Sequence, residues 1–221
     1  MSIKIIDVAR IETREINRLL RRSKEKIKLI NPNSAHFLAA GLCKNLGLEI
    51  AGPAGYYLGT CMDGPHIHVH GNAGWYAGDN MAQGSLLVDG SSGDGTGQGM
   101  YGGTVIVKGN SGVRTGQLMK NGTIIVGGAS GYMTGLYAFG GQIVVCGDVA
   151  HSAGESIIGG TIYVGGKVAS LGKNAKKQKV TLEEYRRLKK LLTKFGFKTP
   201  KNFVKIVPAR KRFYRLDIGW G

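Results

Sequence analysis

Six valines stand nineteen residues apart, at Val69, Val88, Val107, Val126, Val145 and Val164. Glycines keep the same interval from Gly52 to Gly166, and a second glycine set repeats it from Gly84 to Gly160. No insertion or deletion breaks the count over more than half of the chain. A period this short holds no helix-length apolar stripe, so each unit predicts one coil of a solenoid.

Inside each unit two apolar residues flank one variable position. The first runs Ile67, Leu86, Val105, Ile124, Ile143, Ile162, and the second is the valine column. That alternation marks a short strand with one buried face. Stacked in register, such strands predict an all-β core, a right-handed parallel β-helix of about seven coils from Ile50 to Gly172. Further inward columns are expected at Ala54, Ala73, Ser92, Ser111 and Ser130, at Leu58, Ala77, Thr96, Thr115, Thr134 and Ala153, and at Met62, Met81, Met100 and Met119. The methionines read as core filling, since thioethers pack irregular gaps. Gly64, Gly102, Gly140 and Gly159 share a column with Asn121 and Gln83, and that mixture predicts left-handed backbone there.

The charge is segregated. Of a net +16, residues 1–45 contribute +6, residues 46–172 contribute −3, and residues 173–221 contribute +13. These bounds divide the chain into a first flank, a β-helix domain and a basic C-terminal flank. The first flank predicts a strand at Ile3 to Val8, a helix at Thr13 to Arg22 and a second short helix near Ser34–Asn45. Together they would cap the open first coil. The last flank predicts a basic linker, Lys173 to Lys179, then a helix opened by a Thr181/Glu184 capping box and stopped by Gly196. Its apolar stripe is Leu182, Tyr185, Leu188, Leu192 and Phe195. Cys43, Cys61 and Cys146 form no disulfide framework, which suits a reducing cytoplasm. Nothing at the N-terminus reads as a signal peptide, and no apolar run approaches membrane-spanning length.

Three motifs bear on function. The segment GQGMYG, Gly97 to Gly102, matches a dinucleotide glycine pattern, but a strand follows where pyrophosphate binding needs a helix N-terminus. The segment HIHVH sets His66, His68 and His70 on the outward face of one strand. The repeat places Glu49 one coil below His68 and Asp89 one coil above His70, a donor set suited to zinc or another borderline metal. Residues two apart on a strand are separated by about 6.5–7 Å, which allows adjacent ligands but not all three easily. Leu87, Ile106, Ile125, Val144 and Tyr163 form an outward apolar stripe that a partner, a second copy, or the chain's own flanks must cover. Arg186 and Lys190 on the basic flank suit docking to an acidic protein better than nucleic acid, although Phe213, Tyr214 and Trp220 lie among the basic residues of the tail.

The unit GDGTGQGMYGGTVIVKGNSG, with Gly93, Gly95, Gly97 and Gly99 overlapping, resembles the GXGXG domain. That domain is the C-terminal β-helix of the large (alpha) subunit of glutamate synthase. The resemblance runs over about residues 34–172, from SAHFLAAGL through GPAGYYLG and GNAGWYAG to GGTIYVGG. It implies a structural role in glutamate biosynthesis, with no cofactor on this chain. Glutamine amidotransferase, FMN and the iron–sulfur cluster would lie on separate partner subunits. The domain is also similar to the β-helix subunit of formylmethanofuran dehydrogenase.

Overall fold

A computed structural model describes residues 3–210. Its elements are β1 (Ile3–Asp7), α1 (Thr13–Arg22), β2 (Lys26–Ile30), β3 (Gly47–Ala51), β4 (Asp63–Val69), β5 (Gln83–Val88) and β6 (Thr104–Val107). β7 (Thr123–Val126), β8 (Gln142–Val145), β9 (Thr161–Val164), β10 (Ala175–Gln178), α2 (Leu182–Lys194) and β11 (Val204–Pro208) follow. One sheet runs β1-β2-β3-β4-β5-β6-β7-β8-β9-β11-β10.

From β4 to β9 the rungs pair in parallel at the nineteen-residue step: Val69↔Val88, Val88↔Val107, Val107↔Val126 and onward to Val164. All six valines are fully buried. A second line of parallel bridges joins Ala54, Ala73, Ser92, Ser111 and Ser130 on another face. The four expected methionines fill the interior with no exposure. From Ser92 to Ser130 the small column is polar, and it is apolar again at Val149 and Val168. The Thr115 hydroxyl shares its one proton between Ser111 Oγ, at 2.9 Å, and the Gly112 carbonyl, at 3.1 Å, and Ser111 donates to Ser130 Oγ. Each buried hydroxyl thereby finds a partner, as the interior requires.

One bend in each turn from Phe37 to Ser156 carries three left-handed residues at alternate positions, such as Arg114, Gly116 and Leu118 or Gly95, Gly97 and Gly99. At the middle position only glycine fits in most rungs. A Cβ on Gly116 would lie 2.4 Å from Ile143 Cδ1, inside the core. The outer two positions accept tyrosine, arginine or methionine despite the strain. Gly64 has the positive φ expected of its column, but in later turns the left-handed residue falls one position later, at Gly84, Gly103, Gly122, Gly141 and Gly160. Gln83, Gly102, Asn121, Gly140 and Gly159 do not adopt that conformation; the Asn in their column gave a false signal for it.

The solenoid is longer than the repeat indicates, with about nine turns instead of seven. β1 and β2 are two more parallel rungs, not a separate flank. Their steps are irregular, 21 residues from Ile27 to Leu48 and 23 from Lys4 to Ile27, so they escape a nineteen-residue count. α1 has the expected bounds and takes the place of bends within the first turn. It buries Ile16 and Leu20, while its Asn17 side chain accepts from the Ala39 amide and donates to the Phe37 carbonyl. The helix expected near Ser34–Asn45 is absent. Phe37, Ala39 and Gly41 have positive φ, the same alternating bend as in later rungs.

The last flank also differs. The linker at Lys173 to Lys179 contains β10, and β11 returns antiparallel between β10 and β9. Fully buried Ile206 plugs that end of the core. α2 has both hydrogen bonds of the capping box, and Gly196 turns the chain with φ +78. Leu188 and Leu192 are buried, but Leu182 is 65% exposed and lies off the stripe expected for it.

Candidate functional site

Outward side chains of the sheet form two distinct surfaces. Over the later rungs Ile106, Ile125, Val144 and Tyr163 are buried beneath Leu188 and Leu192 of α2, with Leu87 packed at the margin. The stripe expected to dock a partner is therefore covered by the chain's own C-terminal flank. Gly127 and Gly165 make room for the segment after the helix: a Cβ there would strike Phe197 Cε1 at 2.6 Å or Pro200 Cγ at 2.4 Å. The exposed side of α2 carries Arg186 and Lys190, together with Lys189.

Tyr163 fastens the helix to the sheet. Its hydroxyl donates to Glu184 Oε1 at 3.0 Å, accepts from Arg187 at 3.2 Å, and Lys205 also pairs with Glu184. Lys205, outweighing the opposing effect of burial, holds the Glu184 carboxyl down at about 2, with the Thr181 amide and Tyr163 helping. Burial pushes the Tyr163 hydroxyl up, and Glu184 adds to that. Burial likewise pushes the Cys146 thiol up to about 11, so it stays protonated and inert at neutral pH. A shallow cleft beside this clasp is lined by Asn121, Thr123, Gln142, Thr161, Tyr163 and Arg187.

On the earlier rungs, before α2 begins its cover, lie the histidines. His68 Nε2 and His70 Nδ1 approach the same oxygen, Asp89 Oδ2, at 3.0 and 3.1 Å. The two rings lie 4.0 Å apart between centroids. Lys108, one rung further on, pairs with Asp89 Oδ1 at 2.6 Å. Burial raises the Asp89 carboxyl, but Lys108 and the two histidines outweigh it and hold the group at about 2. The repeat places Lys108 directly after Asp89 in its column, a signal present in the sequence that the motif pattern alone does not single out.

The other two expected donors turn elsewhere. His66 Nδ1 bonds Ser85 Oγ at 2.8 Å. Glu49 does lie beside His68 in register, but its carboxylate pairs with Lys26, whose hydrogen bond lowers its pKa. Among the described residues, His68, His70 and Asp89 alone bring three metal-binding atoms together, all within 4.8 Å of one another.

Two aromatic ladders are features that the repeat count did not predict. His36, Tyr56 and Trp75 stack with centroids 4.5 and 4.8 Å apart, and Phe37, Tyr57 and Tyr76 stack at 5.0 and 4.9 Å. Rings in successive rungs fall into contact because strand spacing matches stacking distance. Phe213, Tyr214 and Trp220, weighed as nucleic-acid contacts, lie outside the described residues. No described helix is long and apolar enough to cross a membrane.

Glycine bends, stacked inward columns and a parallel register define a parallel β-solenoid. The chain belongs to the GXGXG motif family, which matches residues 25–207. That match begins at β2 and ends within β11, so it takes in the irregular early rung and the antiparallel plug as well as the regular repeats. No curated protein matches the chain.

Proposed function

We propose that this chain is a non-catalytic scaffold subunit of a glutamate synthase-like complex in the cytoplasm, acting in ammonia assimilation. Membership of the GXGXG family supports the relation. The observation that carries the scaffold role is the way α2 is mounted. Leu188 and Leu192 anchor it on the sheet, and the exposed Arg186, Lys189 and Lys190 are thereby presented on a rigid support. Fixed like charges of this kind suit an acidic protein surface, where they set orientation and association rate. Glutamine hydrolysis, FMN and the iron–sulfur cluster would belong to separate amidotransferase and synthase subunits.

Purification of the untagged complex from native cells tests this reading. Recovery with an amidotransferase and a flavin-bearing subunit supports it, and recovery as an isolated chain overturns it. Recovery with a molybdenum or tungsten subunit would assign the chain to the formylmethanofuran dehydrogenase type instead.

A further inference from the structure

We propose that His68, His70 and Asp89 bind a borderline divalent transition-metal ion, with zinc the best match. The proposal stands apart from the scaffold reading, since it rests on side chains that α2 leaves uncovered.

The geometry is partway to that of a filled site. In a tetrahedral zinc centre with bonds of roughly 2.0–2.1 Å, neighbouring donor atoms lie about 3.3 Å apart. Both imidazole nitrogens already stand 3.0 and 3.1 Å from Asp89 Oδ2. Admitting an ion needs the two nitrogens to retreat from Oδ2 by a few tenths of an ångström and to swing closer to one another than the 4.8 Å within which all three donors now lie. The side chains have that freedom, because His68 and His70 are 34% and 42% exposed.

The backbone beneath them is fixed. The His70 amide donates to the Ile50 carbonyl at 2.9 Å, and the Asp89 amide donates to the Val69 carbonyl at 3.0 Å. Neighbouring rungs therefore hold the backbone that carries the donors in one place whether or not an ion is bound. Lys108 grips the other carboxylate oxygen, Oδ1, and so keeps Oδ2 turned toward the histidines. Outer contacts of this kind orient metal ligands in general.

Donor chemistry selects the ion. Two imidazole nitrogens with one carboxylate oxygen suit zinc and its neighbours, whereas magnesium and calcium prefer oxygen throughout. With three protein donors, a position is left for water or for a donor from another molecule. The Lys108 charge opposes a second cation nearby, so the affinity expected is moderate, below that of closed four-ligand sites.

The test is titration of metal-free, untagged full chain with Zn²⁺ by calorimetry, and with Co²⁺ by visible absorption. One ion per chain is expected, with Co²⁺ bands of nitrogen and oxygen ligation. His70→Gln and Asp89→Asn should each weaken binding by more than about tenfold, while His66→Gln, beside the site but not in it, should leave binding unchanged. Melting curves establish that the variants are folded. Histidine ring signals in the unaltered protein give a second readout, since Zn²⁺ should shift His68 and His70 and spare His66. Absence of saturable binding would leave only a hydrogen-bonded cluster and overturn the proposal. Binding that survives both ligand substitutions, or that His66→Gln abolishes, would overturn it equally.

Discussion

Tyr163, on the last parallel rung, donates its hydroxyl to Glu184, the third residue of the C-terminal helix, at 3.0 Å. The same carboxylate caps the Thr181 amide and pairs with Lys205 of β11. One side chain thus joins sheet, helix and C-terminal plug.

Acid should loosen that junction. The Glu184 carboxyl is held at about 2 in the fold against an ordinary 4.5. A depressed folded value means its contribution is fully present above the ordinary value and fades as pH falls toward 2. After allowance for partial solvent exposure the effect is of order 1–2 kcal/mol. Melting temperatures of the native chain should fall more steeply between pH 5 and pH 3 than those of Glu184→Gln, whose curve lacks this group. Parallel curves would refute the linkage.

Val126→Asp should destabilise the chain by several kcal/mol, read by chemical denaturation. Val126 has no exposed surface and sits between Val107 and Val145, so the new carboxylate would meet only hydrocarbon.

Gly116→Ala and Gly99→Ala test the bends. Both positions have positive φ, near +69 and +64, so both substitutions carry backbone strain of about 1 kcal/mol. The added methyl at 116 also strikes the core at Ile143, whereas at 99 it meets the movable amide of Asn80. Gly116→Ala should therefore cost clearly more, by roughly 1–3 kcal/mol. Equal losses would show that the backbone alone decides.

Leu192→Asp should undock α2 without unwinding the rungs. Its side chain is fully buried against the apolar stripe. Uncovered Ile106, Ile125 and Val144 would then bind a hydrophobic dye, while the far-ultraviolet β signal persists.

Arg186→Glu with Lys190→Glu should weaken assembly with partner subunits and leave the melting temperature within about 1 °C, because both side chains point to solvent. Unchanged complex yield would remove α2 from the interface.

The regular rungs are legible in the sequence because one strict step places every inward residue, so Val69 to Val164 stack by counting alone. Register likewise predicts that Asp89 meets the histidines. What escapes is irregular or tertiary. The steps into β2 and β3 vary in length, and left-handed bends at Phe37 and Ala39 have residues that read as helix formers. Nothing local in the sequence shows that α2 folds back onto Ile106 and Ile125, since an outward apolar column looks the same whichever molecule covers it. Which histidines meet Asp89 depends on rotamers, with Ser85 capturing the His66 ring and Lys108 shaping the carboxylate contact.

The course of α2 has a mechanical result. Its first turn is tied to β9 through Glu184, and Phe197, just past its end, lies against Gly127 beside β7. A stack held only by nearest neighbours can unzip one layer at a time. A crossbar bolted over several layers makes those layers open together or not at all, so unravelling should start at the opposite end, among the layers it does not span.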